Sequence, residues 1–176
     1  MLNLKDDRER RRTLLTFTVG GSFIMGLWVG LPYAIHRFVD PDIGVFAPGP
    51  WRWVGGACVA AGYALAVWCV MLFIHVGEGT PLPFAGPRRL VIAGPYRVVR
   101  NPMVLGTVLF LLGDGLAMGS RGILYYACLV FFVMHLFVLL EERSLERRFG
   151  AAYHAYRRQT PRWWPKMPLR HGTLRD

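Results

Sequence analysis

The residues best suited to chemistry lie in one run: Gly94-Pro95-Tyr96-Arg97-Val98-Val99-Arg100-Asn101-Pro102-Met103-Val104-Leu105-Gly106. Asn101 is a capping type and Pro102 fits the first helical position, so a helix is expected to begin here. The first N–H groups of a helix have no partner within it and carry the positive end of its dipole. With Arg97 and Arg100 just ahead, the segment has the parts of a site for a carboxylate or phosphate. The same arginines also suit the inner boundary of a membrane helix, and charge alone leaves both readings open. Arg100 immediately precedes the helix start, so it is the residue expected nearest a reacting group.

Two further patterns carry chemistry. Glu141 and Glu142 are adjacent acids at the end of an apolar run, where arginines otherwise collect. They need partners such as Arg97, Arg100 or a cationic ligand, or else ion pairs within their own helix. Gly77-Glu78-Gly79-Thr80-Pro81 is either a simple turn or a close-approach loop. His75 and His135 stand one to a helix without a carboxylate companion, which suits packing or interhelical hydrogen bonding better than metal ligation. No metal centre and no nucleophile with an attendant base is expected.

The elements that must position these residues are set by an unusual composition. Of the 176 residues 53% are hydrophobic and 18% charged, with a net charge of +10. One water-soluble domain of this length would have to expose large apolar patches. Cys58, Cys69 and Cys128 are odd in number and lie in apolar runs, so neither a disulfide framework nor a zinc site follows. The basic residues flank the apolar runs, which points to anionic headgroups and away from nucleic acid.

Four spans are expected, at 13–35, 53–74, 103–118 and 122–140. The first is longer than a signal-peptide core and no small-residue cleavage site follows it, so it reads as a retained helix. Gly55-Gly56, Ala60-Ala61 and Gly62 suit close helix packing in the second. Residues 77–102, crowded with proline and glycine, are expected to form a loop or re-entrant segment. Beyond Leu140 the helix should continue as an amphipathic interfacial helix, since Leu145, Phe149, Ala152, Tyr153 and Tyr156 share one face. It should stop before Pro161, with Trp163-Trp164-Pro165 as a surface anchor. With the N-terminus in the cytoplasm, 18 of the 21 Lys and Arg fall on the cytoplasmic side, giving an N-in, C-in topology. The whole chain, 1–176, is expected to be one all-α integral-membrane domain, with its binding part at 77–165.

Gly94-Pro95-Tyr96-Arg97, Arg100-Asn101-Pro102 and Gly106, then Glu141-Glu142, Leu145, Phe149-Gly150, Tyr153, Tyr156 and Pro161-Arg162-Trp163-Trp164-Pro165, resemble the integral-membrane superfamily of isoprenylcysteine carboxyl and phospholipid methyltransferases. The resemblance is to a bacterial-type member and covers about half the chain. It implies S-adenosylmethionine as cofactor, held by Gly77, Gly79, Gly94, Tyr96, Arg97, Asn101, Pro102, Met103, Leu105, Gly106, Glu141 and Glu142, with Arg100 at the reacting groups. It also implies a lipid-like acceptor of the prenyl or phospholipid type, met at the cytoplasmic face of a bacterial inner membrane. No protein partner is indicated. This chain departs from the usual family pattern, which often has His where Asn101 stands and Tyr where Val104 stands. Two other readings stay open: a membrane reductase that binds NADPH, as sterol reductases do, and a small non-catalytic helical membrane protein.

Overall fold

The computed structural model describes residues 22, 25–43, 45–46, 49–77 and 89–165. Within them the protein is helical, with one isolated bridge between Val45 and Ser120. A five-residue π-helix, Gly26–Gly30, runs into α1 (Leu31–Phe38). The short α2 (Asp40–Ile43) follows, then the long α3 (Trp51–His75), a 3-10 turn at Gly94–Arg97, α4 (Pro102–Met118) and α5 (Arg121–Gln159).

Each boundary has a local cause. α4 starts at Pro102, where the missing N–H costs nothing, and the Leu105 N–H donates to the Asn101 carbonyl at 3.3 Å. α5 runs through Leu140 into the amphipathic stretch as one element to Gln159, bent at Gly150 (φ 48°, ψ −123°). Nearly half of the expected first span, residues 13–21 and 23–24, lies outside the described residues, as do Gly79 and the rest of 78–88.

Two helices, α3 and α5, are long and apolar enough to cross a bilayer. Both keep most of their apolar surface on the outside: only 17% and 28% of their most apolar windows are buried. Trp53, Trp68 and Met71 on α3, and Leu129, Phe132 and Leu136 on α5, stand exposed. In water such faces would be a large penalty, whereas lipid accepts them. At 17 residues α4 is apolar but shorter.

The chain divides into two compact units, one of residues up to Tyr63 with Thr107–Phe131, the other of Ala64–Gly106 with Phe132 onward. In the first unit α3 and α4 meet backbone to backbone. A Cβ on Gly55 would stand 2.5 Å from the Ala117 nitrogen, and one on Gly113 2.7 Å from the Gly55 oxygen and the Val59 nitrogen. Only glycine permits that approach. Trp28 stacks on Phe110 with ring centroids 4.5 Å apart, and the Tyr126 hydroxyl donates to the Leu27 carbonyl within the π-helix at 3.1 Å. Asp40, 1% exposed, accepts the Gly122 N–H at 2.9 Å and pairs with His36 at 2.7 Å, while Ser120 Oγ accepts the Ile123 N–H at 2.9 Å. The start of α5 is thus capped both locally and from 82 residues away. Burial pushes the Asp40 carboxyl up, but the Ser120 hydroxyl, the Gly122 N–H and His36 outweigh it and hold it below the usual aspartate value.

The second unit contains every described residue proposed above for ligand binding. Its apolar core joins Cys69, Val91 and Tyr96, with Leu65, Leu72, Phe73 and Met103 packed around them. Phe73 meets the Tyr96 ring edge-on at 5.6 Å.

Candidate functional site

The site is assembled from three pieces of the second unit: the Gly94–Asn101 segment, the middle of α5, and the turn that follows α5. Gly94 sets the first. Its φ is +51°, and a Cβ there would stand 3.1 Å from Leu72 and 3.2 Å from Trp68, so both backbone and space require glycine. The carbonyl of Gly77, a buried residue just beyond α3, accepts the Arg89 N–H at 3.3 Å. The 3-10 turn then buries Tyr96 and carries the chain to Arg100.

Two backbone-directed bonds lock this segment to the C-terminal part. The Tyr156 hydroxyl donates to the Tyr96 carbonyl at 2.6 Å, and the Arg100 N–H donates to the Pro161 carbonyl at 2.9 Å. Burial pushes the Tyr156 phenol upward, so it remains a donor. Tyr153, 1% exposed, is pushed up to about 12 by burial and then by the charge of Glu142, with Arg100 and Arg157 opposing. It too stays a neutral hydroxyl.

Glu142 is the centre of the charge arrangement. Both of its oxygens are taken by the fork of Arg162: Nε donates to Oε1 at 3.0 Å and Nη2 to Oε2 at 2.7 Å. Arg100 reaches the same carboxylate only through Nη2, 3.3 Å from Oε1. The side chains of Arg100 and Glu142 are each 8% exposed. Two guanidiniums against one carboxylate leave this buried group with one surplus positive charge. The Glu142 hydrogen bond raises Arg162, against an opposing effect of burial.

Arg100 is also unsatisfied. Its Nε and Nη1 are buried with no hydrogen-bond partner, and so is Nδ2 of the adjacent Asn101. Those two guanidinium nitrogens carry three of the five donors of the side chain. Buried unpaired donors are costly, about 1–3 kcal/mol each and more when charged, so a ligand that supplied acceptors there would relieve that cost. Acceptor oxygens of an anion suit these donors: they belong to the two residues just before α4, whose first N–H groups carry the same sign of field.

The remaining residues proposed from the sequence divide clearly. Pro102 and Gly106 are buried in the first turns of α4, Leu105 is half-buried beside them, and Met103 joins the Cys69 core. Arg97 is exposed, with Nε 3.4 Å from the Ile92 carbonyl, and does not join the arginine–glutamate group. Glu141 has an exposed surface yet many protein atoms crowd its carboxyl. That desolvation first, then the charge of Glu142, raises it above the ordinary glutamate value. It makes no ion pair among the described residues. Arg162, Tyr153 and Tyr156 carry part of the resemblance but were not among the residues expected to bind the cofactor. Arg162 lies 20 residues from Glu142 in a segment that reads as a membrane anchor; Trp164 does stand 84% exposed there, while the Trp163 ring lies 5.7 Å from that of His135.

Among the described residues the chain is helical, with two apolar helices of bilayer length that fit a membrane protein, and it carries a cation-rich group with spare donors next to a helix N-terminus, an arrangement chemically suited to an anion. Residues 51–152 match the phospholipid methyltransferase family, and the chain belongs to it. The match takes in the Gly94–Gly106 segment and the Glu141-Glu142 pair and ends before Arg162. Methyl transfer to lipid-like acceptors is the activity that membership carries. No curated protein and no solved structure matches the chain.

Proposed function

We propose that this protein transfers a methyl group from S-adenosylmethionine to a lipid-like acceptor at the cytoplasmic face of a bacterial inner membrane, acting as one domain of four spans with both termini inside. The observation that carries the reading is the set of buried unpartnered donors on Arg100 and Asn101. S-adenosylmethionine presents a carboxylate, an ammonium and a ribose diol, and supplies a methyl group on a sulfonium for in-line displacement. Arg100 and the Asn101 amide bind the carboxylate, helped by the N-terminus of α4. Glu141, which makes no ion pair among the described residues, accepts from the ammonium or the diol. Gly77 and the Gly94–Gly106 segment form the wall of the site.

Displacement at a sulfonium quenches charge, so the protein must align the partners and exclude water more than it must move protons. The burial of Arg100, Glu142 and Tyr153 serves that exclusion. The acceptor arrives sideways from the bilayer, through the apolar faces that α3 and α5 leave exposed. The positive-inside count puts residues 77–102 and the C-terminal part on the same cytoplasmic side.

Thermal unfolding of the detergent-purified protein with S-adenosylhomocysteine or with NADPH tests the reading. Ligand at 100 times its dissociation constant adds about 2.7 kcal/mol. Stabilisation by S-adenosylhomocysteine alone is expected. Stabilisation by NADPH alone would favour a reductase, and stabilisation by neither would favour a non-catalytic membrane protein.

A further inference from the structure

The division of Glu142 between its two arginines is uneven, and the unevenness has a use. Arg162 holds both carboxylate oxygens through Nε and Nη2, the paired geometry in which a guanidinium binds a carboxylate most strongly. Arg100 keeps a single contact at 3.3 Å, and its Nε and Nη1 remain without partners. A buried carboxylate with one arginine beside it would draw that arginine into the paired geometry, because an ion out of water needs its counter-charge. Arg162, from outside the family match, removes that demand.

We propose that Arg162 is a positioning residue: it occupies Glu142 so that the donors of Arg100 stay free, and the group stays net positive, for an anionic ligand. The proposal rests on the reading of this site as the cofactor carboxylate site. The backbone places the two arginines for this division, since Arg100 N–H donates to the carbonyl of Pro161, the residue immediately before Arg162.

The experiment is isothermal titration of detergent-purified full-length protein with S-adenosylhomocysteine, comparing wild type with Arg162→Met, Arg162→Lys, Glu142→Gln and the double variant Arg162→Met/Glu142→Gln. Arg162→Met should weaken binding by about tenfold or more, as Glu142 recruits Arg100. Arg162→Lys, which keeps the counter-charge but not the paired geometry, should fall between wild type and Arg162→Met. The double variant should recover to within about threefold of Glu142→Gln alone, because a neutral amide no longer competes for Arg100. A merely structural Arg162 would give a double variant at least as weak as Arg162→Met, and that result overturns the proposal. So does Arg162→Met binding like wild type, or Arg162→Lys failing as badly as Arg162→Met.

If wild type binds no S-adenosylhomocysteine, the cofactor reading fails. The same series is then titrated with inorganic phosphate: the same order of variants upholds the role of Arg162, and equal or absent binding throughout overturns it as well.

Discussion

Replacing Arg100 by lysine separates charge from geometry at the centre of the site. The arginine holds one contact to Glu142 at 3.3 Å and keeps Nε and Nη1 buried and unpartnered. A lysine has one ammonium on a flexible stem. It can answer Glu142 or reach into the anion site, but it cannot do both with fixed geometry. The loss is therefore at least one charge-assisted hydrogen bond, worth about 1.5–3 kcal/mol. At about 1.4 kcal/mol per factor of ten, binding of S-adenosylhomocysteine should weaken by about ten- to hundredfold. The side chain is 8% exposed, so water screens little of this. Titration calorimetry reads it directly, with thermal unfolding run alongside to show that the variant is folded. Wild-type affinity in a folded Arg100→Lys protein would refute the reasoning and leave Arg100 as a boundary arginine.

Further outcomes follow from other parts of the structure. Glu141 is raised above the ordinary glutamate value, so the folded ligand-free protein favours the neutral acid more than the unfolded chain does, and its stability should fall as pH rises through the window just above that value. The ligand ammonium needs the carboxylate, so affinity for S-adenosylhomocysteine should rise with pH across the same window; Glu141→Gln should flatten both profiles, as titrations at several pH values will show. Gly113→Ala forces a Cβ to within 2.7 Å of backbone on α3 and should cost about 1–3 kcal/mol in thermal unfolding, whereas Gly56→Ala, with nothing within 4 Å, should be neutral. Asp40→Ala removes the acceptor for the Gly122 N–H and should destabilise by about 0.5–2 kcal/mol. Because the Asp40 carboxyl is held below its usual value, its contribution is present above the ordinary aspartate range and lost as acid titrates it below that range.

Helices dictated by local chemistry were legible from the residues alone. The Asn101-Pro102 pair placed the start of α4 because capping and the missing proline N–H act within one turn. The apolar runs placed α3 and α5, and the spacing of Leu145 through Tyr156 carried α5 past Leu140. The small residues of α3 pointed to close packing, and Gly55 is where backbone contact occurs.

Features depending on distant partners were not legible. Two adjacent acids asked for counter-charges, and Arg97 and Arg100 were equal candidates in sequence. The turn geometry takes Arg97 to the surface and Arg100 to Glu142. Arg162 becomes a neighbour of Glu142 only because the chain bends at Gly150 and turns again at Pro161, and neither bend follows from periodicity. Glu141 and Glu142 carry the same side chain on consecutive residues, so only the fold separates a carboxylate bound by arginines from one left available.

The proposed binding of the S-adenosylmethionine carboxylate by the spare donors of Arg100 and Asn101 is open to a direct measurement. The most direct measurement titrates wild type and Arg100→Met with S-adenosylhomocysteine and with its decarboxylated analogue. Wild type should favour the carboxylate-bearing ligand by about tenfold or more, and Arg100→Met should lose most of that preference. Equal affinity of wild type for the two ligands would contradict the account.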